Sequence, residues 1–331
     1  MNAEEIINSY TQSRNNFSGE NLVEINLSGY DFSKINLSKS KLEKAVLIFT
    51  NLREANLSES YCKQVQLSGA NLREANLSLG NFFKADLHGA ILEKANLKNA
   101  NLVFASLIDA NLIKVNFQGA DLTEADLTGA CLLGAVFIDH ENSDTNYTKL
   151  EKSVLERTDL EGTCLDGLNL REVNLIAANL PRSSLVNTNL EEANLAGANL
   201  AGANLTGANL TGVNLTEADL TGANLIRANL TEADLTATNL KEANLYQVIL
   251  NDANLSQANL EKAKMVASRL ERANLTRVNL TEANLKQANL ARANLTNANL
   301  NHADLTGADL NDTNWTNVTL DGVILPDSIG L

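Results

Sequence analysis

Cysteine, histidine, proline, basic residues and long apolar runs are all scarce in this chain, and each scarcity removes a class of explanation. Three cysteines in 331 residues, Cys62, Cys131 and Cys164, are too few and too scattered for a disulfide framework and read as reduced thiols. His88, His140 and His302 lie far apart and offer neither metal-ligand spacing nor a triad. No glycine-rich stretch leads into a Lys-Ser or Lys-Thr pair, so no phosphate loop is present. No apolar run reaches the roughly 18 residues of a membrane span, and the opening residues carry Glu4 and Glu5 where a signal peptide would be hydrophobic. A soluble, cytoplasmic protein without membrane contact is expected. Basic residues number 26 against 40 acidic, a net charge of −14, which disfavours direct nucleic-acid binding. The same charge reads first as solubility and mutual repulsion, so a monomer is expected.

What the chain has instead is one phrase, repeated. From Glu191 to Leu225 it runs EEANLAGANLAGANLTGANLTGVNLTEADLTGANL, a small residue, Asn or Asp, Leu, then two variable residues. The central residue recurs every fifth position from Leu150 to Leu325, interrupted only by Met265 and Trp315. Upstream it recurs two residues out of phase from Phe17 to Phe137, as Leu or Phe except at Cys62. A period of five smears around a helix, since successive centres step by about 140°. It alternates faces on a flat strand. A chain that bends once per repeat keeps every centre inside, together with the residue two before it, which is Ala at Ala55, Ala75, Ala178 and Ala203. Four such sides close a coil of about twenty residues, and coils stack at roughly 4.8 Å.

The tandem A(D/N)LXX pattern resembles the pentapeptide-repeat family over nearly the whole chain. The opening MNAEEIINSYTQSRNNF and closing DGVILPDSIG are similar to the ends of cyanobacterial members of the HetL type. The resemblance implies an all-β solenoid, a right-handed quadrilateral parallel β-helix. With four centres per coil it would have about 15 coils and a length of roughly 70 Å. The expected organisation is a capping α-helix in residues 1–14, β-helix in 15–137, a loop in 138–149, β-helix in 150–325 and a tail in 326–331. The tail is too short for a dimerising helix.

Local features refine this picture. Asn2 and Glu5 have capping-box spacing, and Ile6, Ile7 and Tyr10 form one apolar face suited to covering the first coil. Large residues two before the centre, Ile25, Tyr30 and Ile35 at one end and Val318 and Val323 at the other, imply an interior that widens at both ends. Phe82 is paired with Gly80 and Cys62 with Ser60, a compensation of sizes. Pro181 falls where proline suits a turn. Two after the centre, Gly197 and Gly202 suit a type II turn, whereas Glu217 and Glu232 imply a different turn. Thirteen residues separate Phe137 from Leu150, two repeats plus three, with Asn142 as the intervening centre. The coil is expected to resume with two of its sides used up, and removal of Asn142 to Asp144 to restore the phase.

Little of this carries chemistry. Asn-Leu-Ser and Asn-Leu-Thr triplets such as Asn26, Asn204 and Asn274, and acidic pairs such as Glu124 and Asp126, are products of the repeat. No enzyme activity, cofactor or metal is expected, because a filled column leaves no convergent pocket. The surface remains. A protein partner is expected at the loop, through Asp139, His140, Glu141 and Asp144, or on the acidic side through Glu191, Glu192 and Glu232. Two other readings stand beside a regulatory scaffold. One is duplex-DNA mimicry toward a topoisomerase such as DNA gyrase, as the resembling quinolone-resistance proteins imply. The other is ice or lattice binding by the ladder Thr216, Thr236, Ser256, Thr276, Thr296 and Thr316.

Overall fold

The repeat around Leu52 shows why the backbone closes as it does in the computed structural model, which describes residues 1–138 and 147–326. Leu52 N–H donates to the Asn71 carbonyl at 2.7 Å, Glu54 to Arg73 at 2.9 Å and Asn56 to Ile35 at 2.9 Å, so three of five amides reach a neighbouring coil. Ala55 N–H closes the turn on the Leu52 carbonyl at 3.0 Å. The fifth amide, Arg53, has no carbonyl to reach and donates to the Asn51 side-chain oxygen at 3.2 Å. All five donors are satisfied, as buried or half-buried backbone requires. The same set recurs around Leu205, with Thr206 N–H on Asn204 Oδ1. Asn or Asp before each centre is therefore a backbone acceptor supplied by a side chain.

These bonds build a right-handed quadrilateral β-helix in two compact units, Met1–Cys164 and Leu165–Leu331. In the first, parallel bridges join residues twenty apart from Asn16↔Asn36 to Asn116↔Val136. In the second they run from Asn169↔Asn189 to Asp304↔Ile324. The centres and the small residues before them form the core: Leu52, Ala55, Leu57, Leu205 and Ala208 are all buried. Most buried hydroxyls at the small position use carbonyls already present, as Ser60 does on Leu57 at 2.6 Å and Thr188 on Leu165 at 3.0 Å, while those of Thr163 and Ser268 have no hydrogen-bond partner among the described residues.

The helix α1, Ala3–Thr11, starts at the Asn2–Glu5 capping box and buries Ile6. Tyr10 lies edge-on to Phe32 at 5.1 Å and donates its hydroxyl to the Ser33 carbonyl at 2.6 Å, so α1 packs on the first coil. This contact explains a departure from the expected interior. Ile25 and Ile35 point inward, but Tyr30 is 47% exposed, its ring tilted against Phe32 at 6.0 Å. With Phe32 in the centre and Tyr10 against it, no volume is left inside for a third ring.

The turns also correct the sequence reading. Glu217 and Glu232 have φ of 58° and 61°, matching 64° at Gly197 and 65° at Gly202. One turn geometry serves both residue types, because the amide at that position donates to the next coil whatever its side chain, as Glu217 does to Thr236 at 3.0 Å. The left-handed conformation costs a side-chain-bearing residue about 1–2 kcal/mol, and an inter-coil hydrogen bond offsets about 1 kcal/mol of it.

The interruption enters at one corner. Asp121, Asp126 and Cys131 pair with Lys149, Val154 and Asp159, so Leu150 occupies the side directly after Phe137 and no side is skipped. Thr148 is buried in the small position, its hydroxyl within 2.8 Å of the Phe117 carbonyl and 2.5 Å of that of Phe137. Phe137 itself stacks on Phe117 at 5.5 Å. Restoring the phase thus means joining Ile138 to Tyr147, so removal of Asn142 to Asp144 alone leaves the register unrestored. Asn142 lies outside the described residues.

Two substitutions test this core. Leu205→Lys should cost more than about 4 kcal/mol, since an unpaired charge enters a dry column. Thr206→Lys loses one hydroxyl bonded to Asn204 and should cost about 1 kcal/mol. Equal melting of the two would refute the inward and outward assignment. A β-carbon on Gly80 would lie 2.5 Å from the Phe82 ring. Gly80→Ala should therefore cost about 1–3 kcal/mol, and Phe82→Leu in the same chain should recover most of it by restoring the common Ala–Leu pairing. A double-mutant cycle of denaturant midpoints reads the coupling, and simple additivity would contradict it.

Candidate interaction surface

Because the ladder fixes each coil on the next, outward residues twenty apart in the repeat stand in columns. Asn36, Asn56, Asn76 and Asn96 each donate a side-chain amide to the Asn one coil before, at 3.0–3.4 Å. Thr216 and Thr236 donate their hydroxyls to Asn214 and Asp234 at 2.6 Å. Asn254 returns an amide to the Thr236 hydroxyl at 2.7 Å. The Thr column is therefore tied into coil-to-coil packing.

On the acidic side, Glu191 and Glu192 come together around Arg171, whose guanidinium lies 3.8 Å from Glu191, 3.0 Å from Glu192 and 3.5 Å from Glu172. The hydrogen bond to Glu192, then the charges of Glu191 and Glu172, raise the Arg171 pKa. Glu232 is not part of this cluster. It stands two coils along the same column, with Gly212 between. Further on, Arg272 forks onto Asp252 at 2.6 and 2.7 Å and reaches Glu271 at 2.7 Å. The Arg272 hydrogen bond holds the Asp252 carboxyl below its usual range. Much of the acidic column is thus neutralised along its length. Asp139, His140, Glu141 and Asp144 lie outside the described residues.

His88 and His302 sit on outward turns, and among the described residues no group of three or more His, Cys, Asp or Glu is placed to hold a metal ion. No helix among them is long and apolar enough to cross a membrane. The family model for pentapeptide repeats matches residues 21–59, 60–99, 100–137, 169–207, 214–252, 228–265, 238–277, 273–312 and 298–328. The chain is a pentapeptide-repeat protein.

Among solved pentapeptide-repeat proteins, the chain is similar to Rfr23 from the cyanobacterium Cyanothece 51142, at 39% identity over 31% of this chain, with a TM-score of 0.25. That match spans 63% of Rfr23's length. It is also similar to HetL from the cyanobacterium Nostoc sp. strain PCC 7120, at 26% identity over 99% of both chains, with a TM-score of 0.20. Full-length QnrB1 matches at 18% identity over 73% of this chain and 92% of its own, with a TM-score of 0.22. No curated protein matches significantly.

Sequence reasoning missed one surface of this pentapeptide-repeat protein. Tyr61, Leu79, Phe83 and Phe104 lie outside the column on one side of the first unit, and Tyr61, Leu79 and Phe104 are well exposed. Leu79, Phe83 and Phe104 occupy turn positions that are most often Ser, Thr, Gly or charged; Val23, Ile48 and Phe49 are apolar at turns too, but the available signal was two aromatic residues at turns of successive coils.

Cys62 offers a check on the interior beneath this surface. It is fully buried against Ser60 at 3.1 Å. Burial pushes its thiol up to about 12, eased by the Ser60 hydrogen bond and raised further by Glu43. A small disulfide reagent should leave Cys62 unlabelled in the native protein and react once the protein is denatured. The unfolded thiol ionises near 9.0, so the stability tied to the neutral buried form is whole below that pH and is lost as pH rises toward 12. Melting should fall across this window less in Cys62→Leu. An equal fall would refute the burial of the thiol.

Proposed function

We propose that the protein is a non-enzymatic, rigid scaffold, regulatory in a cyanobacterium-like cytoplasm, that presents a surface to a protein partner. The observation that carries this reading is the division of labour within the repeat. The centre, the small residue and the Asn or Asp are spent on the core and the ladder, while the two turn residues are free to vary and face outward in fixed columns. Such a surface binds without rearranging, which limits the ordering cost of association. Family membership supports the same reading.

Two regions are proposed for the contact. One is the corner carrying Asp139, His140, Glu141 and Asp144, since an insertion that leaves the flanking coils in register adds surface without altering the core. The other is the acidic column of Glu191, Glu192 and Glu232. DNA mimicry toward a topoisomerase draws on the net charge of −14, but Arg171, Arg272 and Arg292 pair with acids along that column. Ice or lattice binding would need free Thr hydroxyls, and those of Thr216, Thr236, Thr276, Thr296 and Thr316 are bonded to neighbouring Asn or Asp.

The full chain, immobilised, should retain a specific protein from a cyanobacterial lysate. Joining Ile138 to Tyr147 by removing residues 139–146 should leave melting nearly unchanged and weaken capture. If capture survives, Glu191→Gln with Glu192→Gln and Glu232→Gln should weaken it, with a loss that shrinks as salt is added. Retention of a topoisomerase would favour mimicry, and retention of nothing would overturn the scaffold reading.

A further inference from the structure

The exposed apolar side of the first unit departs most from what the repeat requires. Three successive coils place Tyr61 and Lys63, then Leu79, Phe83 and Lys84, then Val103 and Phe104 on one side. Phe83 and Phe104 meet edge to face, with centroids 5.8 Å apart. Lys63 and Lys84 both rest their ammonium groups 5.4 Å from the Phe83 ring, and Lys84 lies as close to Phe104. Leu79 is 58% exposed, Tyr61 53% and Phe104 43%. Away from its last coil, the second unit exposes one large hydrophobic residue among those described, Tyr246.

Nothing in the fold calls for these residues. Their backbone amides make the same ladder as the polar residues at equivalent positions, with Lys84 N–H on the Val103 carbonyl and Phe104 on Thr123. Their charges are equally uncommitted. Among the described residues of the unit, Lys34 pairs with Glu54, Lys39 with Glu59 and Lys44 with Glu24, each one coil away, whereas Lys41, Lys94 and Lys114 make no ion pair but have no aromatic ring against their ammonium groups. Among the described residues Lys63 and Lys84 pair with no carboxylate, and Glu43, one coil below Lys63, makes no ion pair with it. Two cations with no counter-ion among the described residues flank an aromatic pair, Phe104 exposed and Phe83 half-buried, on a protein of net charge −14. An exposed apolar group ringed by charge of one sign marks an interaction site, and aromatic residues are the anchors that such sites use.

We propose that this side docks an acidic segment of a protein partner, with carboxylates on Lys63 and Lys84 and an aromatic or branched aliphatic side chain against Leu79, Tyr61 and the Phe83–Phe104 pair. The assignment rests on the scaffold reading and adds to it a surface and a partner chemistry. It is separate from both the corner insertion and the acidic column, each of which would recognise positive charge.

The test selects short random peptides displayed on phage against the full chain, with counter-selection on Phe83→Thr/Phe104→Asn. Both replacements occur at equivalent turn positions of this chain, as Thr123 and Asn99, so unchanged melting is expected and is checked first. Peptides that survive should interleave Asp or Glu with aromatic or branched residues. Synthesised and measured by fluorescence anisotropy, they should bind Phe83→Thr/Phe104→Asn and Lys63→Ser/Lys84→Gln at least about tenfold more weakly, and added salt should weaken binding to the unaltered chain. Survivors that lack acidic residues, or no enrichment over counter-selection, would overturn the inference. So would tighter binding of a thymidine oligonucleotide, lost in the same variants, which would point to single-stranded nucleic acid. Peptides that bind the unaltered chain and both variants equally would sink this surface while leaving the scaffold reading intact. That reading fails instead if the full chain retains no protein partner.

Discussion

The hydrogen bond that satisfies an Arg53-type amide, the donor immediately after each centre, is the constraint that sets the letters of the repeat. The other four donors of a repeat find carbonyls through turn and ladder, but this one faces outward at the bend and is satisfied by the Asn or Asp two residues before it. An unmade hydrogen bond to a half-buried amide costs about 1–3 kcal/mol, and the cost would recur in every repeat. The letter most prominent in the sequence is therefore a backbone device. Where it is missing, as at Tyr61 and Ile91, the bridge to the next coil still forms, and these side chains are exposed. The acceptor stabilises the turn locally without being required by the ladder.

That division changes what the surface means. The abundant Asn and Thr look like a recognition ladder, yet their side chains bond to one another along the coils. Charged residues at the turns pair at twenty-residue spacing, Lys241 with Glu261 at 3.0 Å and Arg272 with Asp252. Pairs this exposed contribute little each, roughly 0–1 kcal/mol. They cancel much of the field that the acidic composition would otherwise generate. Residues outside both patterns, such as Phe83 and Lys84, are the ones that neither packing nor ion pairing accounts for.

The period alone carried most of the fold. It placed Leu and Ala inside and the variable residues outside, and it anticipated that Phe82 needs Gly80 and that Cys62 lies beside Ser60. It failed where a position is decided by something other than the repeat. Tyr30 follows the small-residue pattern by number, but α1 brings Tyr10 onto Phe32 and removes the space, a tertiary event that no local pattern records. Glu217 was assigned a different turn on intrinsic preference, and an inter-coil hydrogen bond overrides a preference of that size. The exposed aromatic side is legible in part, since its residues sit at turn positions, but the period does not say which turn residues of successive coils meet, as Phe83 and Phe104 do.

The corner between Phe137 and Leu150 shows why such a fold can acquire function piecemeal. In a solenoid each coil contacts only its neighbours, so an insertion need satisfy only the two repeats it joins. Here Thr148 supplies the small inward residue and Lys149 the bridge to Asp121, and the following pairs regain their register at once. Loop closure costs grow slowly with length, about 0.6 kcal/mol per doubling. A corner can therefore be elaborated at modest cost to the core. Outward substitution at the turns is similarly undemanding, because the ladder reads only the backbone there. Both routes leave the Leu column untouched, which lets one repeat carry a chemically neutral Thr and Asn surface in one place and unpaired lysines around an aromatic pair in another.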